Sequence, residues 1–148
     1  MVLCVCALGC TGAARNRPRG ARAALQLAPV RVVSTDPLLR RMCAEAVEGA
    51  LRGRGFSVGS LGPMVTVEVQ FGYEPAGIAG RASAAADVTA TVRSPSGRVR
   101  ELLASAVGDV ALPEAPSDLL GASGRAGRFA CEGAAVRLAE ALEELFSG

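Results

Sequence analysis

Apolar and polar positions follow two different periods along this chain, and the switches between them mark its elements. Leu25 to Val33 alternates well enough for a first strand, with Pro29 confining it to a sheet edge or a bulge. Thr35-Asp36-Pro37 is a helix start, because Asp36 can accept bonds from free amides and Pro37 suits the first helical position. Leu38, Met42, Ala46 and Ala50 then recur beside Leu39, Cys43, Val47 and Leu51, a helical stripe. Arg40, Arg41, Glu45, Glu48 and Arg52 fall on the other side, and Gly53 and Gly55 supply the stop. Phe56-Ser57-Val58 is a short extended lead. Met64 to Phe71 alternates cleanly, Val65, Val67, Val69 and Phe71 against Thr66, Glu68 and Gln70. A Gly/Ala-rich loop over 72–82 precedes a strand in which Ala84, Ala86, Val88, Ala90 and Val92 alternate with polar partners. Ser94-Pro95-Ser96-Gly97 is a turn, and Arg98 to Val107 returns as the other arm of a hairpin. Asp, Glu, Pro and Gly over 108–124 predict a loop. A last helix over 125–146 places Cys131, Ala135, Leu138, Leu142, Leu145 and Phe146 on one face.

The order β-α-β-β-β-α predicts an α+β fold. Its expected form is a two-layer sandwich, with two helices on one face of a four-stranded, mostly antiparallel sheet. One domain over 25–148 suits the length, and no internal repeat is evident.

The first ten residues do not belong to that domain. Residues 1–9 are apolar or small, and Cys10-Thr11-Gly12 opens a polar stretch. Nine residues are too few to span a bilayer core about 30 Å thick, which takes about 20 helical residues. The run has the length of a secretory apolar region followed by small residues where a peptidase cuts. Ala7-Leu8-Gly9-Cys10 resembles a bacterial lipobox, with Ala7 where Leu is usual and no charge before Arg15. The reading is a lipoprotein-type signal peptide over 1–9, lipidation of Cys10 and a flexible tether over 10–24. An apolar N-terminus packed in a cytosolic protein is the alternative.

Charge and composition narrow the function. The chain carries 16 basic residues, every one Arg, against 14 acidic residues. Four of the Arg lie at 15, 17, 19 and 22, which leaves the remainder at −2. A near-neutral body with one Tyr and no Trp offers neither phosphate neutralisation nor a stacking platform, so nucleic acid is not an expected partner. No His is present, which removes His-dependent bases, nucleophile pairs and metal ligands. The five Cys form no C-x-x-C pair. No metal, cofactor or catalytic role is expected. Glu140, Glu143 and Glu144 read as a solvated helix face, Asp109 and Glu114 as loop acids, and Gly121–Gly127 as a flexible helix entry.

Cys43 and Cys131 fall on the apolar faces of different helices. Side-by-side helices in an oxidising compartment would let them bridge, and two buried free thiols are the other outcome.

Leu27-Ala28-Pro29-Val30 leading into a helix, the Val-rich strand and the Arg98-Val99-Arg100 hairpin strand together resemble LPS-assembly lipoproteins. Asp118-Leu119-Leu120, Arg125 and the helix 134–142 extend the likeness, which covers about 25–146 as a pattern. The resemblance implies a lipid-anchored, non-catalytic plug and assembly partner inside an outer-membrane β-barrel that exports lipopolysaccharide. It also implies lipopolysaccharide contact, for which Arg98 and Arg100 are the candidates here; an ordinary solvated strand edge is the alternative. Auxiliary lipoproteins of other envelope lipid transporters and the YajG-like group share the layout, and fold analogy does not separate them.

Overall fold

The computed structural model describes residues 22–74, 80–112 and 119–148. Among these residues the strands are β1 (Arg22–Leu27), β2 (Arg31–Val33), β3 (Phe56–Val58), β4 (Met64–Tyr73), β5 (Arg81–Arg93) and β6 (Val99–Ala111). The helices are α1 (Pro37–Gly53) and α2 (Leu119–Ser147). The class is α+β, but the sheet has six strands rather than four, in the order β3-β1-β4-β5-β6, with β2 also on β4. It is mixed: β1 and β2 run parallel to β4 and β3 parallel to β1, while β4, β5 and β6 form an antiparallel meander.

Pro29 accounts for one extra strand. Leu27 lies opposite Val65 and Arg31 opposite Glu68, so the edge strand takes one more step than β4 over this stretch. A proline has no N–H for the ladder, and the chain bulges around it, splitting the expected Leu25–Val33 strand in two. The short lead at Phe56 is the other: it pairs with β1, whose start at Arg22 precedes the expected one.

α1 forms where its cap and stripe place it. Asp36 Oδ1 accepts from the amides of Leu38 at 2.8 Å and Leu39 at 3.3 Å, with Pro37 next in the first turn. Of the two adjacent apolar rows, the one that turns inward is Leu39, Cys43, Val47 and Leu51; Leu38 stays 59% exposed. Fully burying a Leu or Val is worth about 1.5–3 kcal/mol, so this row docks the helix.

Both helices cover one face of the sheet, where Val65, Val67, Val69, Val88, Val92 and a run of alanines are buried. α2 changes character along its length. Its first half buries Ala122, Ala126, Ala130 and Ala134, its second Leu138 and Leu142. The small half lies over an equally small patch of sheet, where Ala84 pairs with Gly108 and Ala86 with Ala106. A Cβ on Gly108 would fall 2.2 Å from the Ala126 carbonyl oxygen and 2.6 Å from the Ala130 nitrogen. Only glycine allows helix and strand this close. The expected loop at 108–124 is therefore corrected on both sides. β6 runs to Ala111, and α2 already begins at Leu119.

Candidate functional site

Cys10 lies outside the described residues, as do Glu114 and Asp118. The other singled-out residues are placed as follows. Cys43 and Cys131, each 1% exposed, meet where α1 crosses α2; the structure joins them as a disulfide with Cα atoms 5.8 Å apart. Arg98 follows the hairpin turn, its amide donating to Ser94 Oγ at 3.1 Å, and Arg100 lies in β6 opposite Val92. Both are exposed, and neither is in an ion pair among the described residues. Asp109 is a strand residue of β6, accepting from Ser83 Oγ, and Gly121–Gly127 is inside α2.

Of the C-terminal carboxylates, Glu140 and Glu143 are tied up structurally. Arg54, at the end of α1, donates to Glu143 Oε2 at 2.9 Å and to Glu140 Oε1 on α2. The hydrogen bond to Glu143, more than any other influence, raises the guanidinium pKa above its ordinary value; partial desolvation opposes it. These groups clamp the helix ends together. Among the described residues, no cluster of His, Cys, Asp and Glu is arranged to hold a metal, and no helix is long and apolar enough to cross a membrane.

An open cleft of about 550 Å³ lies at the end of the sandwich where α1 begins. Arg31, Val32, Val33, Ser34 and Thr35 form one wall, Phe71 and Tyr73 the other. The alternation of β4 carries both aromatics to the same side as Val65, Val67 and Val69, but past the stretch that is fully buried. The two rings lie 6.1 Å apart and 25° from parallel. Tyr73 is half exposed, and its hydroxyl packs against α2 at Gly127, where a Cβ would be 3.0 Å from it. Desolvation first, then the Asp36 carboxylate, raise the Tyr73 pKa above its ordinary value. Arg31 is held at 3.2 Å by Glu68 and places one cation on the rim. An apolar floor of stacked rings with a charged rim can seat an aliphatic or aromatic group carrying a polar end. Phe71 was visible in the sequence as an apolar strand residue. Tyr73 was hidden, because Gly72 made 72–82 read as a loop.

A second surface is β6 itself, the outer strand of the meander. Its face away from the helices carries Val99, Leu103 and Val107, which are 55%, 76% and 67% exposed. Phe129 of α2, 49% exposed, stands beside Gly108 at the same edge.

The fold is shared with solved structures of bacterial proteins. A DUF330 protein from Xanthomonas campestris matches with a TM-score of 0.56 and 15% identity, over 88% of this chain and 93% of that one. A minor lipoprotein from Acinetobacter baumannii matches with a TM-score of 0.54 and 11% identity, over 82% and 93%. A neuraminyllactose-binding hemagglutinin homolog from Helicobacter pylori follows with a TM-score of 0.50 and 10% identity, over 88% and 87%. At these identities the likeness is one of fold. No family model and no curated protein matches the chain.

Proposed function

We propose that this chain is an envelope lipoprotein, anchored through a lipidated Cys10 on the periplasmic face of the outer membrane, that acts by binding rather than by catalysis. The observation that carries the reading is a sandwich of the fold found in a bacterial lipoprotein, together with the apolar run 1–9 that leads into Cys10 and the polar segment before the domain. Several acyl chains on one cysteine suffice to hold such a domain at a membrane. In the more specific form, the domain is the assembly and plug partner of a lipopolysaccharide-export β-barrel. The cleft beside Phe71 and Tyr73 receives an apolar group of the partner or the lipid, and Arg98 and Arg100 meet anionic headgroups.

Mass spectrometry of the native N-terminus tests the anchor. An acylated Cys10 as first residue is expected, with Cys10→Ala releasing the protein from the membrane fraction; an unprocessed Met1 refutes it. Affinity purification from native membranes tests the partner: an outer-membrane β-barrel should be retained and then reduced by Tyr73→Ala. A second reading is an auxiliary lipoprotein of another envelope lipid-transport or assembly complex, because a fold shared with a lipoprotein at 11% identity does not separate the two. Recovery of a periplasmic transporter subunit in place of a barrel would select it.

A further inference from the structure

Among the described residues no strand pairs with the outer edge of β6, and that edge has a pattern that matches its own reverse. Two backbone bonds fix which residues point outward. Ser94 donates to the Arg98 carbonyl at 2.8 Å and Leu112 to the Gly80 carbonyl at 3.0 Å, so even-numbered positions of β6 are the hydrogen-bonded partners of β5. In an antiparallel pair the intervening residues turn their N–H and C=O groups the other way. Val99, Glu101, Leu103, Ser105, Val107 and Asp109 therefore present the backbone groups of the outer edge. Arg137 of α2 confirms the direction by donating to the Ser105 carbonyl from outside the sheet. This edge belongs to a strand of 13 residues without a bulge against β5, and long regular edges with apolar side chains are templates for strand addition.

We propose that the partner is a second copy of this chain, paired antiparallel through β6 about a two-fold axis at Leu103. The register follows from the side chains. With the axis at Leu103, Leu103 meets its own copy, Val99 meets Val107, and Glu101 meets Ser105. An axis at Ser105 would set Glu101 against Asp109 on both sides of the dimer, a like-charge pairing that is unfavourable in directly opposed strands. An axis at Ala104 would place Val99 against Asp109 and Glu101 against Val107, mixing apolar with charged residues. The Leu103 register also brings Arg98 of the second copy opposite Gly108, beside the exposed ring of Phe129. A guanidinium over an aromatic face is a favourable contact, and it gives unpaired Arg98 a counterpart. The Ser105 carbonyl keeps its bond from Arg137, since its second lone pair is free for the incoming amide of Glu101. Interfaces of this type are isologous, so the strand closes on itself and the assembly stops at two.

The test is sedimentation equilibrium of the full chain in detergent, with circular dichroism as a check on folding. A dimer is expected, and Leu103→Lys, at a site exposed in the single chain, should weaken it at least about tenfold because both copies lose the contact. The register is tested at Ser105. Ser105→Lys should tighten the dimer about two- to tenfold by facing Glu101 of the other copy, and Ser105→Glu should weaken it by a similar factor. A monomeric wild-type protein at high micromolar concentration overturns the proposal. So does a dimer indifferent to Leu103→Lys, and Ser105 variants that shift association in the same direction overturn the register. None of these outcomes depends on whether Cys10 is acylated.

Discussion

Joining Cys43 to Cys131 closes a loop of 88 residues, and the size of that loop sets how much the bridge should stabilise the domain. In the chain-entropy description, cross-linking a loop of this length removes enough freedom from the unfolded chain to stabilise the fold by about 4–5 kcal/mol. Unfolding entropy near the midpoint is about 2.1 cal/mol/K per residue, or about 0.3 kcal/mol/K for a chain of this size. Reduction should therefore lower Tm by roughly 15 °C. Both cysteines are buried in packed helices, and their Cα atoms are 5.8 Å apart, within the span a disulfide bridges. The assay is thermal unfolding followed by circular dichroism on a variant with Cys4, Cys6 and Cys10 changed to Ser, with and without reductant. Intact mass should show the oxidised form lighter by two hydrogens. An unchanged mass and a Tm shift below about 3 °C would refute the bridge and leave two buried thiols at the helix crossing.

Gly108→Ala should destabilise the domain by about 1–3 kcal/mol in urea unfolding, because its Cβ would press on the backbone of α2 rather than on a movable side chain. Asp36→Ala should cost about 1 kcal/mol in the same assay through loss of the two amide bonds at the start of α1. Tyr73 is the single tyrosine, so tyrosinate absorbance reports it directly and should show a titration above the ordinary value of about 10. The neutral phenol is then favoured in the folded state. Its stabilisation is complete below the unfolded pKa and is lost as pH rises through the folded one, so Tyr73→Phe should flatten the fall in urea midpoint above about pH 10. Reduction of the bridge should also speed amide hydrogen exchange more in residues 122–134 than in 138–146; equal acceleration would argue against unequal docking of α2.

α1 was legible in the sequence because three independent signals agreed: a capping Asp36, Pro37 in the first turn and a long apolar stripe. Sequence alone left open which of two adjacent apolar rows would turn inward, since that depends on where α2 sits. The meander was readable in outline but short at its ends. Arg81 and Ala82 read as the end of a Gly/Ala-rich loop, since one alanine after Gly80 gives no contrast to mark a strand until pairing with β6 shows it. Gly121, Gly124 and Gly127 read as a loop because glycine inside a helix costs about 1 kcal/mol. Gly127 lies where a Cβ would press on the Tyr73 hydroxyl and the Leu39 side chain. What escaped was the split of the Leu25–Val33 stretch into β1 and β2 and the pairing of the Phe56–Val58 lead with β1, because three-residue segments carry almost no period and their identity lies in contacts with β4 and β1. Of the candidate site, Cys43 and Cys131 were singled out with a bridge and free thiols both left open, and Phe71 stood out only as an apolar strand position. The cleft was not legible, since its walls are separated by a helix in the chain.

The uneven packing of α2 explains why a bridge at its middle matters. Its first half docks with alanines and glycines on an alanine-rich patch of sheet, and side chains of that size remove little apolar area from water per residue. Close approach offsets part of this through dispersion contacts, but only while the helix stays in register with Gly108 and Ala106. The second half is held by Leu138 and Leu142, by the edge-on contact of Phe146 with Phe56 and by the Arg54 clamp. Cys131 stands between these halves and is fixed to α1, whose inward row of Leu39, Cys43, Val47 and Leu51 is buried along its whole length. The small-residue half thus has a covalent neighbour on one side and the β6 strand on the other. That half also supplies the floor beside Tyr73 and the ring of Phe129 at the β6 edge, so both exposed surfaces rest on the part of α2 with the least hydrophobic anchorage. A thin core stapled at its weakest helix can keep two binding faces in shape without the bulk that would fill them.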